Sequence, residues 1–229
     1  ITINRNGVRI EADNTLRMLG NYELVDTVLD RFSRKIACIS IGPVGEMKML
    51  SASIACTDIE LTPTRHAGRG GGGAVMGSKG VKIIILDGEG VGSVIARDKE
   101  RFAAAAQSFS KGLKRDPTTG ETFPRYGTAD MVDVVNEVGG FPTRYFSSGY
   151  FENASKINGE VLTKLEKERN GEVTKGCHVG CIVRCSGTYH DKDGDFVTKQ
   201  PEYETIWSHG ANCGIDDMDA IAQLDQLDD

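Results

Sequence analysis

The distribution of apolar residues changes near Val94, and this change limits the possible folds more than any other feature of the sequence. Before it, short apolar runs typical of strands stand between turn signals, as at Ile36–Ile41 and Val81–Leu86. After it, apolar residues recur at spacings of three and four, as expected of helices. The 28 glycines among 229 residues also exceed what a simple helical bundle needs. We therefore predict an α+β protein with two domains, residues 1–93 and 94–229.

Composition and charge exclude several classes of protein. The chain is 39% hydrophobic and 26% charged, which is too apolar for a disordered protein. Its net charge is −6 and it has no long basic run, so we expect no nucleic-acid partner. The longest strongly apolar run is about five residues, whereas a membrane-spanning helix needs roughly 20. No signal peptide is visible, and we expect a cytoplasmic protein without a membrane partner.

The positions at which the sequence begins and ends lead to a further expectation. The chain begins at Ile1 inside an expected strand and ends at Asp229, directly after a helical pattern. We interpret it as an internal piece of a longer protein.

Four segments have patterns with a specific structural prediction. Met49–Ala55 alternates and predicts a strand, whereas Arg65–Gly73 is rich in glycine and predicts a loop. The apolar stripe between Phe102 and Leu113 predicts a helix. Val161–Arg169 carries many charges and predicts a helix on the surface.

Three cysteines, Cys177, Cys181 and Cys185, fall within nine residues. Closely spaced thiolates, with one more distant ligand, are typical of iron–sulfur clusters. Three buried thiols without a metal, or a zinc site, are the alternatives. Zinc usually takes paired Cys-x-x-Cys elements, so we favour an iron–sulfur cluster.

The glycine-rich segment Arg65–Gly73 is a candidate for anion binding. Four consecutive glycines allow backbone N–H groups to approach an anion, and Arg65 and Arg69 can grip phosphate. The segment matches neither a dinucleotide-binding fingerprint nor a P-loop. A flexible loop with solvated arginines is an equally good explanation from these residues alone.

Glu202-Tyr203-Glu204 is the third candidate. Glu204 can act as a general acid or base and Tyr203 as a hydrogen-bond donor. From the residues alone, exposed carboxylates at the start of a helix are the better explanation.

Several longer motifs occur together in one order along nearly the whole chain. They are Ile39–Glu46, Gly68–Lys79, Tyr126–Ala129, Asn136-Glu137, Glu202–Thr205 and Gly210–Asp217. In this combination the chain resembles the tungstopterin-dependent aldehyde ferredoxin oxidoreductase family. The resemblance implies the end of a β-rich domain that cradles the pterin, followed by part of a mainly α-helical domain that carries the cluster cysteines.

The resemblance also implies roles for individual residues. Cys177, Cys181 and Cys185 are similar to three ligands of a [4Fe–4S] cluster, whose fourth ligand lies outside this chain. Glu204 matches a carboxylate beside the metal, with Tyr203 as its neighbour. The residues similar to pterin-binding positions are Arg65, His66, Gly68, Arg69 and Asp229.

The implied function is an oxidoreductase with tungsten, or molybdenum, in a bis-pterin cofactor. It would oxidise aldehydes to carboxylic acids and pass electrons through the cluster to ferredoxin or another electron-transfer subunit, as an oligomer. A family member that reduces aromatic acids or thioesters is one alternative. An iron–sulfur electron-transfer protein without pterin is another, although it would have no need of the anion-binding segment.

Overall fold

The computed structural model describes residues 1–229, which form two compact units. The first comprises Ile1–Ile95 with the last residue, Asp229, and the second comprises Ala96–Asp228. The first is built on a sheet and the second is mainly helical, which confirms the predicted α+β class. None of the helices combines the length and the apolar character required to cross a bilayer.

A six-stranded mixed sheet organises the first unit. Its spatial order is β2-β1-β6-β3-β4-β5, in which β1 and β6 are parallel and the other neighbours are antiparallel. The strands are β1 (Thr2–Asn4), β2 (Gly7–Arg9), β3 (Ile36–Ser40), β4 (Ile54–Cys56), β5 (Arg65–Ala67) and β6 (Ile83–Asp87). Helices α1 (Asn21–Leu29), α2 (Pro43–Glu46) and α3 (Gly72–Ser78) accompany them.

The core of this unit lies between α1 and the centre of the sheet. Leu24, Val25 and Val28 form the buried stripe of α1, at the spacing that places side chains on one helical face. They pack in one cluster with Cys38 of β3 and Ile85 of β6, among others. Both strands bury alternate residues towards this core, although each was predicted from a continuous apolar run.

Two segments of the first unit differ from the prediction. Within Met49–Ala55 only the end becomes strand, because Ala52 N–H donates to the Met49 carbonyl (3.0 Å) and Ala52 O accepts from Gly73 N–H (3.0 Å). These backbone groups are used by a turn and by the start of α3. The segment Arg65–Gly73 is not entirely a loop, because its first three residues pair with β4 as β5 and its last two belong to α3.

The second unit packs helices around a single core and one hairpin. Its helices are α4 (Lys99–Arg115), α5 (Phe123–Tyr126), α6 (Met131–Glu137), α7 (Gly159–Glu168), α8 (Tyr203–Thr205) and α9 (Met218–Asp228). Strands β7 (Thr188–His190) and β8 (Phe196–Lys199) form the hairpin. Val132, Leu162, Ile206 and Ile221, one from each of four helical segments, meet in the core. A π-helical turn, Ile206–Gly210, continues α8.

Helices α4 and α7 differ from their predictions in opposite ways. The predicted stripe of α4 is helical, yet Phe102 and Phe109 are 65% and 69% exposed and no residue of the helix is buried. The predicted surface helix α7 instead buries Leu162 and Glu166 completely. Its other charged residues remain on the outer face, so charge content alone did not reveal the buried face.

Candidate functional site

The cysteine segment forms a tight loop in the second unit. The sulfurs of Cys177 and Cys181 and a ring nitrogen of His178 lie within 4.8 Å of one another. Gly180 and Arg184 adopt left-handed backbone conformations (φ 80° and 54°), which turn the chain back between the cysteines. The Arg184 N–H donates to Cys181 Sγ at 3.4 Å. Closely spaced sulfurs with a backbone donor fit an iron–sulfur cluster, whose potential depends on such hydrogen bonds.

Cys185 is half-buried in the same loop and is not part of the three-residue group. Burial raises the pKa of its thiol, and the nearby charge of Glu202 raises it further. The loop therefore stands next to the segment that begins at Glu202. His178 was not among the ligands predicted from the sequence, although its position directly after Cys177 was the available signal.

A short ladder closes the base of the cysteine loop. Lys175 and Ser186 exchange two backbone hydrogen bonds, of 2.7 and 3.1 Å. One step further out, Glu172 O accepts from Thr188 N–H at 2.9 Å, and Glu172 N–H donates to Thr188 Oγ1 at 2.9 Å. These hydrogen bonds fix the two ends of the cysteine loop relative to each other.

The predicted catalytic pair lies at the start of α8. The Tyr203 N–H donates to Thr128 Oγ1 (2.9 Å), whose hydroxyl donates to Glu202 Oε2 (2.6 Å). The structure in this way joins two motifs of the resemblance, Tyr126–Ala129 and Glu202–Thr205. Burial, and then the charge of Glu204, raise the pKa of Tyr203. Tyr203 is therefore a neutral hydrogen-bond donor at ordinary pH, while Glu204 beside it is exposed.

The glycine-rich segment of the first unit is shaped by close backbone contacts. Gly71 is left-handed (φ 67°) immediately before α3. A Cβ atom on Gly73 would lie 2.2 Å from the carbonyl oxygen of Ser53, so only glycine fits there. The connection from β5 to α3 is consequently held close to the chain that precedes β4.

Two predicted pterin residues contact each other in this unit. His66 Nε2 lies 3.1 Å from Asp229 Oδ1, and His66 Nδ1 shares a hydrogen bond of 2.6 Å with Ser53 Oγ. Both Asp229 and His66 are largely shielded from solvent. The remaining predicted residues differ in exposure, since Arg65 is half-buried and Gly68 and Arg69 are exposed. The arginine and the glycine connection are the features that suit a phosphate-bearing ligand.

Comparisons with known proteins show the family of both units. Residues 1–88 match the family described as aldehyde ferredoxin oxidoreductase, N-terminal domain. Residues 104–229 match aldehyde ferredoxin oxidoreductase, domains 2 & 3.

Three relatives show how far the similarity extends. The tungsten-containing aldehyde ferredoxin oxidoreductase of Thermococcus kodakarensis is 39% identical over 83% of this chain and 29% of its own length. That of Pyrococcus abyssi is 37% identical over 86% of this chain and 30% of its own. The aliphatic sulfonate oxidoreductase, WOR-like subunit, of Pyrococcus furiosus is 31% identical over 92% of this chain and 34% of its own.

The chain thus spans about a third of the length of these relatives. Within that span, the two family matches cover almost all of both structural units. The resemblance inferred from the motifs is confirmed: the chain belongs to the aldehyde ferredoxin oxidoreductase family.

Proposed function

We propose that this chain is part of a tungsten, or molybdenum, pterin oxidoreductase that oxidises aldehydes to carboxylic acids. The observation that carries the proposal is the close group of Cys177 and Cys181 in a loop adjacent to the Glu202–Glu204 segment. This puts residues suited to electron transfer and to proton transfer in one unit. The tungsten-containing relatives support the same reaction class.

Three thiolates from this chain would hold the cluster, namely those of Cys177, Cys181 and Cys185. Arg65, His66, Gly68, Arg69 and Asp229 would hold the pterin, with Arg65 and Arg69 matched to its phosphate. When bound, the pterin cofactor supplies two-electron oxidation and the [4Fe–4S] cluster supplies transfer of single electrons. The protein contributes orientation and electrostatics.

Tyr203 and Glu204 would bind the substrate oxygen and accept a proton, respectively. A neutral Tyr203 hydroxyl can donate a hydrogen bond to the aldehyde oxygen, which polarises the carbonyl group. The oxygen added to the aldehyde comes from water, and the Glu204 carboxylate can accept the proton that this water loses as it adds to the carbonyl carbon. Thr128 fixes the backbone of Tyr203, so the phenol and the carboxylate keep their relative positions.

The electron acceptor in this proposal is ferredoxin or another electron-transfer subunit, and the complete protein works as an oligomer in the cytoplasm. None of the six cysteines forms a disulfide, which suits a reducing compartment. The P. furiosus relative named for aliphatic sulfonates supports a second candidate, a sulfonate substrate, although its identity to this chain is lower.

The proposal can be tested by steady-state turnover of the intact protein. Aldehydes, aromatic acids and short aliphatic sulfonates are supplied separately, with ferredoxin as the acceptor or, for the acids, reduced ferredoxin as the donor. We expect aldehyde-dependent reduction of ferredoxin and formation of the matching carboxylic acid. Turnover of the sulfonates or acids, with none of the aldehydes, would contradict the proposed substrate.

A further inference from the structure

Glu166 is a carboxyl group in an unusual place. It lies in α7 and is 0% exposed, and no cation pairs with it in an ion pair. Its Oε2 accepts from the side-chain amide of Gln200 at 3.1 Å, while its Oε1 has no hydrogen-bond partner. Burial raises the pKa of Glu166 to about 9, so this group is an uncharged carboxylic acid at neutral pH.

Gln200 links this acid to the outgoing end of the cysteine loop. It is 4% exposed, and its backbone N–H donates to the Gly187 carbonyl at 2.9 Å, two residues after Cys185. A Cβ atom on Gly127 would lie 2.8 Å from Gln200 Oε1 and 3.0 Å from the Cys185 carbonyl oxygen. The Gln200 amide and the backbone of Cys185 thus both pack against Gly127.

Glu166 also contacts the incoming end of the loop. Its backbone carbonyl accepts from Gly171 N–H at 2.7 Å. A Cβ atom on Gly171 would lie 2.4 Å from the Thr188 carbonyl oxygen and 3.2 Å from Glu166 Cα. Glu166 and Gln200 therefore contact the two ends of the ladder that closes the loop.

We propose that Glu166 and Gln200 are positioning residues for the iron–sulfur cluster, fixing the backbone of Cys185 relative to Cys177 and Cys181. The inference rests on the proposed cluster ligands. A neutral acid–amide pair suits this task, since its directional hydrogen bond fixes how the two side chains pack and adds no net charge beside the cluster. A role in stability alone is a poor explanation, because a buried oxygen without a partner destabilises the fold.

The test uses four variants of the intact protein. Glu166→Gln keeps the shape and the acceptor for Gln200, whereas Gln200→Met removes the donor at similar volume. The double variant Glu166→Met with Gln200→Met replaces the buried polar pair by apolar side chains, which commonly restores stability. Leu162→Ala is the control, since it opens a cavity one turn earlier on the same helix and leaves both polar side chains in place. The readouts are iron content, the EPR signal of the reduced cluster, its midpoint potential and the Tm.

We expect Glu166→Gln to retain the iron, EPR signal and potential of the unmodified protein. Gln200→Met should lose iron several-fold. The double variant should recover Tm but keep a broadened EPR signal and a displaced potential, and Leu162→Ala should lower Tm alone. An unmodified EPR signal and potential in the double variant would overturn the positioning role. Absence of iron from the unmodified protein would instead overturn the proposed cluster, and this inference with it.

Discussion

Two buried carboxyl groups of the second unit are accommodated in opposite ways. Asp225 accepts from the hydroxyls of Thr198 (3.1 Å) and Thr205 (3.0 Å) and lies 3.3 Å from Lys199 Nζ. Glu166 has only the neutral amide of Gln200. A buried carboxylate without a cation costs more than a buried acid. Asp225 therefore has a cation among its partners, whereas Glu166 does not.

The neutral state of Glu166 predicts a stability that depends on pH. Between about pH 5 and pH 9 the folded chain holds a proton there that the unfolded chain has released, so this group lowers the free energy of unfolding as pH rises. Glu166→Gln removes the dependence. The Tm of the variant minus that of the unmodified protein should therefore increase from pH 5 to pH 8. A constant difference in thermal unfolding scans would contradict a neutral Glu166.

Glu204 predicts a loss of rate without a loss of cofactor. Glu204→Gln keeps the shape but removes the proton acceptor, and loss of general-base help typically costs about 10²–10⁴ in rate. The exposed position of Glu204 indicates that the fold will tolerate the change. The measurement is aldehyde turnover across pH, with metal content as the control. Turnover within a few-fold of the unmodified protein would make Glu204 structural.

At the scale of secondary structure, local sequence patterns predicted an element correctly where its backbone hydrogen bonds all belong to one strand ladder or one helix. The apolar runs at Ile36–Ile41 and Val81–Leu86 predicted strands β3 and β6 to within two residues at each end. Met49–Ala55 failed because its backbone groups are used by a turn and by Gly73, which a local pattern cannot reveal. A correct prediction of this segment would have required the contact between Ala52 and Gly73, which lie more than 20 residues apart.

The same limit applied to the candidate site. The cysteine spacing predicted three ligands, of which the loop itself brings Cys177 and Cys181 together, whereas Cys185 lies outside that group. The contact between Thr128 and the Glu202–Tyr203 segment joins residues more than 70 positions apart and has no local signal. Glu166 was missed for a different reason: it lies four residues after the buried Leu162, on the same face of α7, but its charge predicts exposure.

The packing of α3 predicts that Gly73 cannot be replaced. Gly73→Ala would put a Cβ atom 2.2 Å from the Ser53 carbonyl oxygen, so the helix must move away from the chain before β4. Overpacking of this kind typically costs about 1–3 kcal/mol. Gly92→Ala is the control, because no atom lies within 4 Å of the new methyl group. Equal free energies of unfolding for the two variants, measured by denaturant titration, would contradict this packing.

At the scale of the whole molecule, we assign pterin binding to the first unit and the cluster to the second. Arg65→Ala should weaken retention of the pterin, because it removes a charge-assisted contact of roughly 1.5–3 kcal/mol. Arg97→Ala, at an exposed arginine outside the segment, is the control. Pterin released on dilution is measured by fluorescence. Full retention in Arg65→Ala after dilution and warming would remove Arg65 from the site.

The metal content of the intact protein, measured by inductively coupled plasma mass spectrometry, tests the central claim most directly. The account predicts about four iron atoms per chain, as expected of one [4Fe–4S] cluster, together with tungsten or molybdenum. Iron without either of these metals would fit the pterin-free electron-transfer protein and would contradict the account.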